Sequence, residues 1–77
     1  MPKLPVLSGR ELVRILARVG YLPARQKGSH IILVKTDEAG NRHGIVVPDH
    51  KELDRGTLAE IIRQAGLKRA EFLKLVK

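Results

Sequence analysis

The sequence predicts an α+β domain, with two helices on one face of a three-stranded antiparallel sheet and a short extra helix at the end. Three observations carry that prediction. Apolar residues recur at helical spacing near both ends of the chain. The middle is rich in Ile, Leu and Val between turn residues, as strands are. The resulting order is helix, three strands, helix, short helix. Seventy-seven residues are expected to form one domain, 1–77, with no internal repeat, linker or low-complexity segment.

Ser8, with Glu11 three residues later, reads as a capping box that opens the first helix. Leu12, Ile15, Leu16 and Val19 form its apolar stripe, and Gly20 stands where a C-terminal cap belongs. On the opposite face Arg10, Arg14 and Arg18 fall at four-residue steps. Like charges at that spacing cost roughly 0.2–0.5 kcal/mol per pair. The stripe is therefore mildly unfavourable unless solvent or a phosphate backbone takes it up.

Tyr21–Arg25 reads as a weak strand whose Pro23 suits a sheet edge. Lys27-Gly28 makes a turn, and Ser29–Lys35 is the strongest strand. Asp37–Asn41 is a polar hairpin loop, and Arg42–Val47 is a third strand that Pro48 ends. On the central strand Ile31 and Leu33 point to one side, and His30, Ile32 and Val34 to the other. Both faces are apolar. The helices can cover one; the second calls for the C-terminal tail, a second copy or a protein partner. Residues Asp54 through Thr57 offer caps for the next helix, whose stripe is Leu58, Ile61, Ile62 and Ala65 and whose stop is Gly66. Leu67–Lys77 is a short third helix anchored by Phe72, Leu73 and Val76.

Charge is distributed unevenly. Fifteen Lys and Arg against eight Asp and Glu give +7 with histidines neutral. Residues 1–36 hold seven bases and one acid, or +6; residues 37–77 hold eight bases and seven acids, or +1. A one-sided excess attracts polyanions and steers their approach. The absence of cysteine removes disulfides, thiolate nucleophiles and sulfur-bound zinc. The longest aliphatic run, Ile31–Val34, is far below the roughly 20 residues of a membrane span. Met1–Leu7 has no apolar h-region, so no signal peptide is expected. These features predict a soluble cytoplasmic protein with no membrane partner.

The chemistry-bearing residues are few. His30 follows Gly28-Ser29 at the start of the central strand, with Arg25, Lys27 and Lys35 close in sequence. Neutral imidazole is a serviceable general base, and nearby cations can stabilise charge building on a phosphorus centre. Base plus cations, without a metal, is what attack of a ribose 2′-hydroxyl on the adjacent phosphate requires. Gly28 would let an RNA backbone approach closely. His43 lies on the same sheet face as His30 or on the opposite one, depending on register. His50 sits beside Asp49, a carboxylate that could orient it. A zinc site from His30, His43, His50 and Asp49 matches no known ligand spacing. A triad from Ser29, a histidine and Asp49 lacks a nucleophile elbow, and there is no P-loop or dinucleotide fingerprint. Tyr21 and Phe72 alone are too few for a base-stacking platform.

Several segments together resemble the HicA (YcfA-like) toxin family. They are Leu7-Ser8-Gly9-Arg10-Glu11-Leu12 leading to Gly20-Tyr21, then Arg25-Gln26-Lys27-Gly28-Ser29-His30, then Val47-Pro48 with His50. Gly56-Thr57-Leu58 and Ile61-Ile62-Arg63-Gln64-Ala65-Gly66-Leu67 complete the set. The likeness runs from about residue 3 to residue 75 in the family's order and spacing. It implies a fold like the double-stranded-RNA-binding domain, an mRNA interferase activity, and neutralisation by a HicB-type antitoxin in a hetero-oligomer. It also implies that His30, in Gly-Ser-His, is the catalytic histidine. Ile31 stands where many members carry a second histidine, and Lys68 where the last helix is usually capped by Ser or Thr.

The expected function is thus a toxin endoribonuclease that needs no cofactor and no metal. His30 is the expected base, or the acid on the departing 5′-oxygen, with His50 or solvent as the second proton carrier. Arg25 and Lys27 would bind the scissile phosphate where Gly28 and Ser29 admit the backbone. Lys35 would add positive charge, and Arg10, Arg14 and Arg18 would track the RNA. The rivals are a non-catalytic double-stranded RNA-binding module and a protein-interaction adaptor without salt-dependent RNA affinity.

Overall fold

A computed structural model describes residues 3–76. The chain runs through α1 (Gly9–Ala17), β1 (Leu22–Lys27), β2 (His30–Thr36), β3 (Arg42–Pro48), α2 (Arg55–Gln64) and α3 (Arg69–Val76). The expected α-β-β-β-α order with an added C-terminal helix is present. The three strands form one antiparallel sheet in the order β1-β2-β3, leaving β1 and β3 as edges. Of the segments read from sequence, Met1, Pro2 and Lys77 lie outside the described residues.

Local signals start both long helices. The Ser8 hydroxyl accepts from the Glu11 N–H at 3.1 Å, and the Ser8 N–H donates to the Glu11 carboxylate at 2.9 Å. This reciprocal pair satisfies two amide donors at the helix start. Asp54 caps α2 by accepting from the Thr57 N–H at 2.7 Å and the Thr57 hydroxyl at 3.1 Å. At α3 half of a capping box survives without a hydroxyl: the Lys68 N–H donates to Glu71 Oε1 at 2.8 Å.

The first strand departs from expectation, covering Leu22–Lys27 rather than Tyr21–Arg25. Pro23 does not break it, because β1 is an edge and the register shifts between Pro23 and Arg25. Beyond that irregularity Arg25 pairs with Ile32, Gln26 with Ile31 and Lys27 with His30. The hairpin loop is therefore Gly28-Ser29, not Lys27-Gly28. Gly28 takes φ +60°, the left-handed conformation that two-residue hairpin loops favour. Tyr21, freed from the strand, puts its ring into the core.

Burial alternates along the sheet. Ile31, Leu33, Ile45 and Val47 lie in the core, with Ile31 opposite Val47 and Leu33 opposite Ile45. They meet Leu12 and Leu16 of α1, Leu58, Ile61 and Ile62 of α2, and Phe72 of α3 in one cluster. Fully burying each such side chain contributes about 1.5–3 kcal/mol relative to exposure. Val76 is half-buried against this cluster, whereas Leu73, expected as an anchor, is outside it. The other face of the sheet carries His30, Ile32, Val34 and Val46, and the C-terminal helix does not cover it. Instead α3 lies on the helical side, where Arg18 donates to the Leu75 carbonyl at 2.6 Å. Leu22 and Val46 stay 57% and 48% exposed. Among the described residues, no helix is long and apolar enough to cross a membrane.

Candidate active site and nucleic-acid interface

His30 is the first residue of β2 and is exposed. Its strand partners are Lys27 on one side and Pro48 on the other. The next row on the same face, about 7 Å along the strand, is Arg25, Ile32 and Val46. The row after it is Leu22, Val34 and Gly44. One end of the open face therefore holds an imidazole beside two cationic residues, and an apolar strip continues from it. Among the described residues nothing hydrogen-bonds the His30 ring, so both nitrogens are open to a solute. Among the described residues Arg25 and Lys27 likewise have no carboxylate partner. Gly28 has no atom within 4 Å of where a Cβ would sit, so the loop beside the ring is open.

Other expected site residues lie elsewhere. Lys35 pairs with His43, which puts it on the helical side of the sheet, roughly 17 Å along the strand from His30. Its ammonium sits 5.5 Å from the centre of the Tyr21 ring, a cation–π contact. Arg14 and Arg18 line a groove between α1 and α3 with Leu75 and Val76, also on the helical side. Sequence adjacency in one case and a shared helix face in the other suggested neighbours that strand parity and the sheet separate.

Arg10 does reach the His30 end of the sheet, but not as a free cation. Its Nε donates to Asp49 Oδ1 at 3.1 Å, and a second guanidinium nitrogen lies 3.4 Å from Oδ2. The hydrogen bond from Arg10 is the main cause holding the Asp49 carboxyl below its usual range, and Asp49 raises Arg10 in turn. Asp49 therefore faces Arg10 and Gln26, not the His50 ring it was expected to orient. His50 is exposed two residues past Pro48, beside a hollow shared with Ser8, Arg10 and Lys51. Its carbonyl accepts from the Gly9 N–H at 2.9 Å. The Asp49 N–H donates to the Ser29 carbonyl at 2.7 Å, so the 48–50 segment adjoins the Gly28-Ser29 loop.

His43 lies on the face opposite His30, with Nε2 2.9 Å from Asp37 Oδ2. That hydrogen bond lowers the Asp37 pKa. His30, His43, His50 and Asp49 consequently do not converge, and no metal-holding group of three His, Cys, Asp or Glu occurs among the described residues. The residue that sequence reasoning passed over is Gln26. Its amide bridges the Gly28 carbonyl at 3.0 Å and Asp49 Oδ2 at 3.2 Å.

The family model described as HicA toxin of bacterial toxin-antitoxin matches residues 9–67. The chain belongs to the HicA toxin family. No curated protein matches it. The HicA match runs from the first residue of α1 to just past α2 and includes the Gly28-Ser29-His30 loop and Pro48–His50. As a HicA toxin the chain is one half of a toxin–antitoxin pair, and the existence of an antitoxin partner follows from that membership.

Proposed function

We propose that this HicA toxin is an mRNA interferase whose catalytic residue is His30. The observation that carries the reading is an exposed imidazole, without a partner among the described residues, beside Lys27 and Arg25 on an open sheet face of a HicA-family chain. In the proposed reaction His30 accepts the proton of a ribose 2′-hydroxyl. The 2′-oxygen bonds to the adjacent phosphorus, and the bond from phosphorus to the 5′-oxygen breaks. The departing oxygen takes a proton from His50 or from solvent. The products are a 2′,3′-cyclic phosphate and a 5′-hydroxyl end. Lys27 and Arg25 would offset the extra negative charge on the phosphoryl oxygens, and Gly28 and Ser29 would admit the RNA backbone. The step uses only the chain's own base and cations, so no metal or cofactor is required.

Arg10 is a secondary contact in this reading: its side chain is 74% accessible and can meet a phosphate while it stays paired with Asp49. Lys35, Arg14 and Arg18 drop out of the immediate site on the placement described above. The apolar strip of Leu22, Ile32, Val34 and Val46 suits a HicB-type antitoxin, which would inhibit by covering the face that bears His30. The compartment is the cytoplasm, where mRNA is found.

Induction of the wild-type and His30→Ala chains in parallel, with and without the adjacent reading frame, tests this. Growth arrest with shortened mRNA should follow from the wild-type chain alone and be relieved by the neighbouring product. Equal arrest by His30→Ala would refute the assignment. Salt-dependent RNA binding with no cleavage by either chain would favour the double-stranded RNA-binding module.

A further inference from the structure

We infer that Asp49 and Gln26 are positioning residues that hold the Gly28-Ser29 loop and, through it, the His30 ring. This rests on the nuclease reading above. A base must meet its substrate hydroxyl within hydrogen-bond reach, and a displacement of about 1 Å can cost roughly 100-fold in rate. Yet no side chain among the described residues grips the His30 ring. Its location is set by the backbone of a two-residue loop on one side and by β2 on the other.

Both loop carbonyls are pinned by the same small cluster. The Ser29 carbonyl accepts from the Asp49 N–H at 2.7 Å, and the Gly28 carbonyl accepts from the Gln26 amide at 3.0 Å. That amide nitrogen also donates to Asp49 Oδ2 at 3.2 Å, so the carboxylate holds the glutamine that holds the loop. Arg10 fixes the carboxylate from the other side, 39 residues away in sequence. The Gly9 N–H ties α1 to the His50 carbonyl. Three segments, the start of α1, the end of β1 and the residues after β3, thus meet at the loop that carries the base. Asp49 is half-buried, with 18% of its side chain accessible and both carboxylate oxygens engaged by protein donors, which fits a bracing group better than a substrate contact.

The test compares wild type, Asp49→Ala, Asp49→Asn, Gln26→Ala and His30→Ala with two measurements. One is steady-state cleavage of a single-stranded RNA; the other is amide hydrogen exchange at residue 49, whose N–H holds the loop, and at residues 32–34 of the central strand. Asp49→Ala and Gln26→Ala should each lower kcat on the order of 10-fold with KM changed less than about 2-fold. Asp49→Asn keeps one acceptor oxygen, which can serve Gln26 only with its NH2 turned toward Arg10, and should recover part of kcat. Exchange should quicken at the Asp49 N–H, which donates to the Ser29 carbonyl, in both alanine variants while residues 32–34 stay protected. Unchanged protection of the Asp49 N–H overturns the proposal whether or not RNA is cut. A rise in KM with kcat intact also overturns it, by making Asp49 or Gln26 a binding residue. Wild type cutting no faster than His30→Ala removes the nuclease reading and this role with it, a pattern distinct from the other two.

Discussion

Gly9→Ala is the substitution that most sharply tests how α1 is seated against the site. A Cβ at residue 9 would lie 1.9 Å from the Pro48 carbonyl oxygen, 3.0 Å from its carbon and 3.2 Å from Asp49 Cα. All three atoms are backbone, so no rotamer change relieves the contact. The nearest distance is 1.1 Å inside the 3.0 Å below which Cβ contacts essentially do not occur (3.0 − 1.9). Either α1 or the 48–50 segment must move. That movement breaks the 2.9 Å bond from the Gly9 N–H to the His50 carbonyl. Overpacking of this kind costs about 1–3 kcal/mol and the lost hydrogen bond about 1 kcal/mol. The gain in helix propensity from Gly to Ala, about 1 kcal/mol in a helix interior, is smaller at the first helical residue. A net loss of roughly 3 kcal/mol corresponds to a Tm drop of roughly 12–24 °C in a domain of this size. Thermal and urea unfolding followed by circular dichroism measure it. Gly44→Ala is the control, since a Cβ there meets only the Leu33 carbonyl oxygen at 3.9 Å and should be nearly neutral. A Gly9→Ala protein as stable as wild type would refute the close approach of α1 to Pro48.

Phe72→Ala should cost about 3–5 kcal/mol because the ring is fully buried in the cluster, and a urea midpoint close to that of wild type would contradict α3 as part of the core. Gly28→Ala should lose about 1–2 kcal/mol from backbone strain alone, since φ is +60° and no atom crowds the position, while Gly28→Asn should lose less; equal stability of all three proteins would contradict the left-handed loop. Stability should also fall in acid. Glu60 is lowered from 4.5 to about 2, first by its hydrogen bond from Arg63, and Glu11, Asp37, Asp49 and Asp54 are lowered as well. Groups depressed in the folded state contribute fully above their unfolded values and lose that contribution as pH drops through the folded ones. The urea midpoint should therefore be flat above about pH 5 and decline between about 4.5 and 2; a midpoint unchanged at pH 2.5 would contradict these pairings.

What was legible in the sequence was largely local. The Ser8–Glu11 box forms as read, and of the candidate caps from Asp54 to Thr57 it is Asp54 that caps α2, again with side chains three residues apart. Alternation along Ser29–Lys35 separated the core residues Ile31 and Leu33 from the open-face residues His30, Ile32 and Val34. Non-local facts were not legible. Pro23 marked an edge but not the register shift that lets β1 run on to Lys27. The side of His43 depended on a pairing register that no short-range signal sets. Lys35 follows the parity of Ile31 and Leu33, so its separation from His30 was readable from alternation already in hand. The engagement of Arg10 by Asp49 and of Arg18 by the Leu75 carbonyl joins residues 39 and 57 positions apart, beyond the reach of helical spacing arguments. Gln26 went unremarked because its role depends on both the hairpin and the return of the chain after β3.

The most direct measurement is cleavage of an end-labelled single-stranded RNA by purified wild-type and His30→Ala proteins in the presence of a metal chelator, with the new ends identified chemically. Wild type should leave 2′,3′-cyclic phosphate and 5′-hydroxyl ends, and His30→Ala should lose at least about 100-fold in rate. Equal rates from the two proteins, or 3′-hydroxyl ends that appear only when divalent metal is restored, would contradict the proposed reaction.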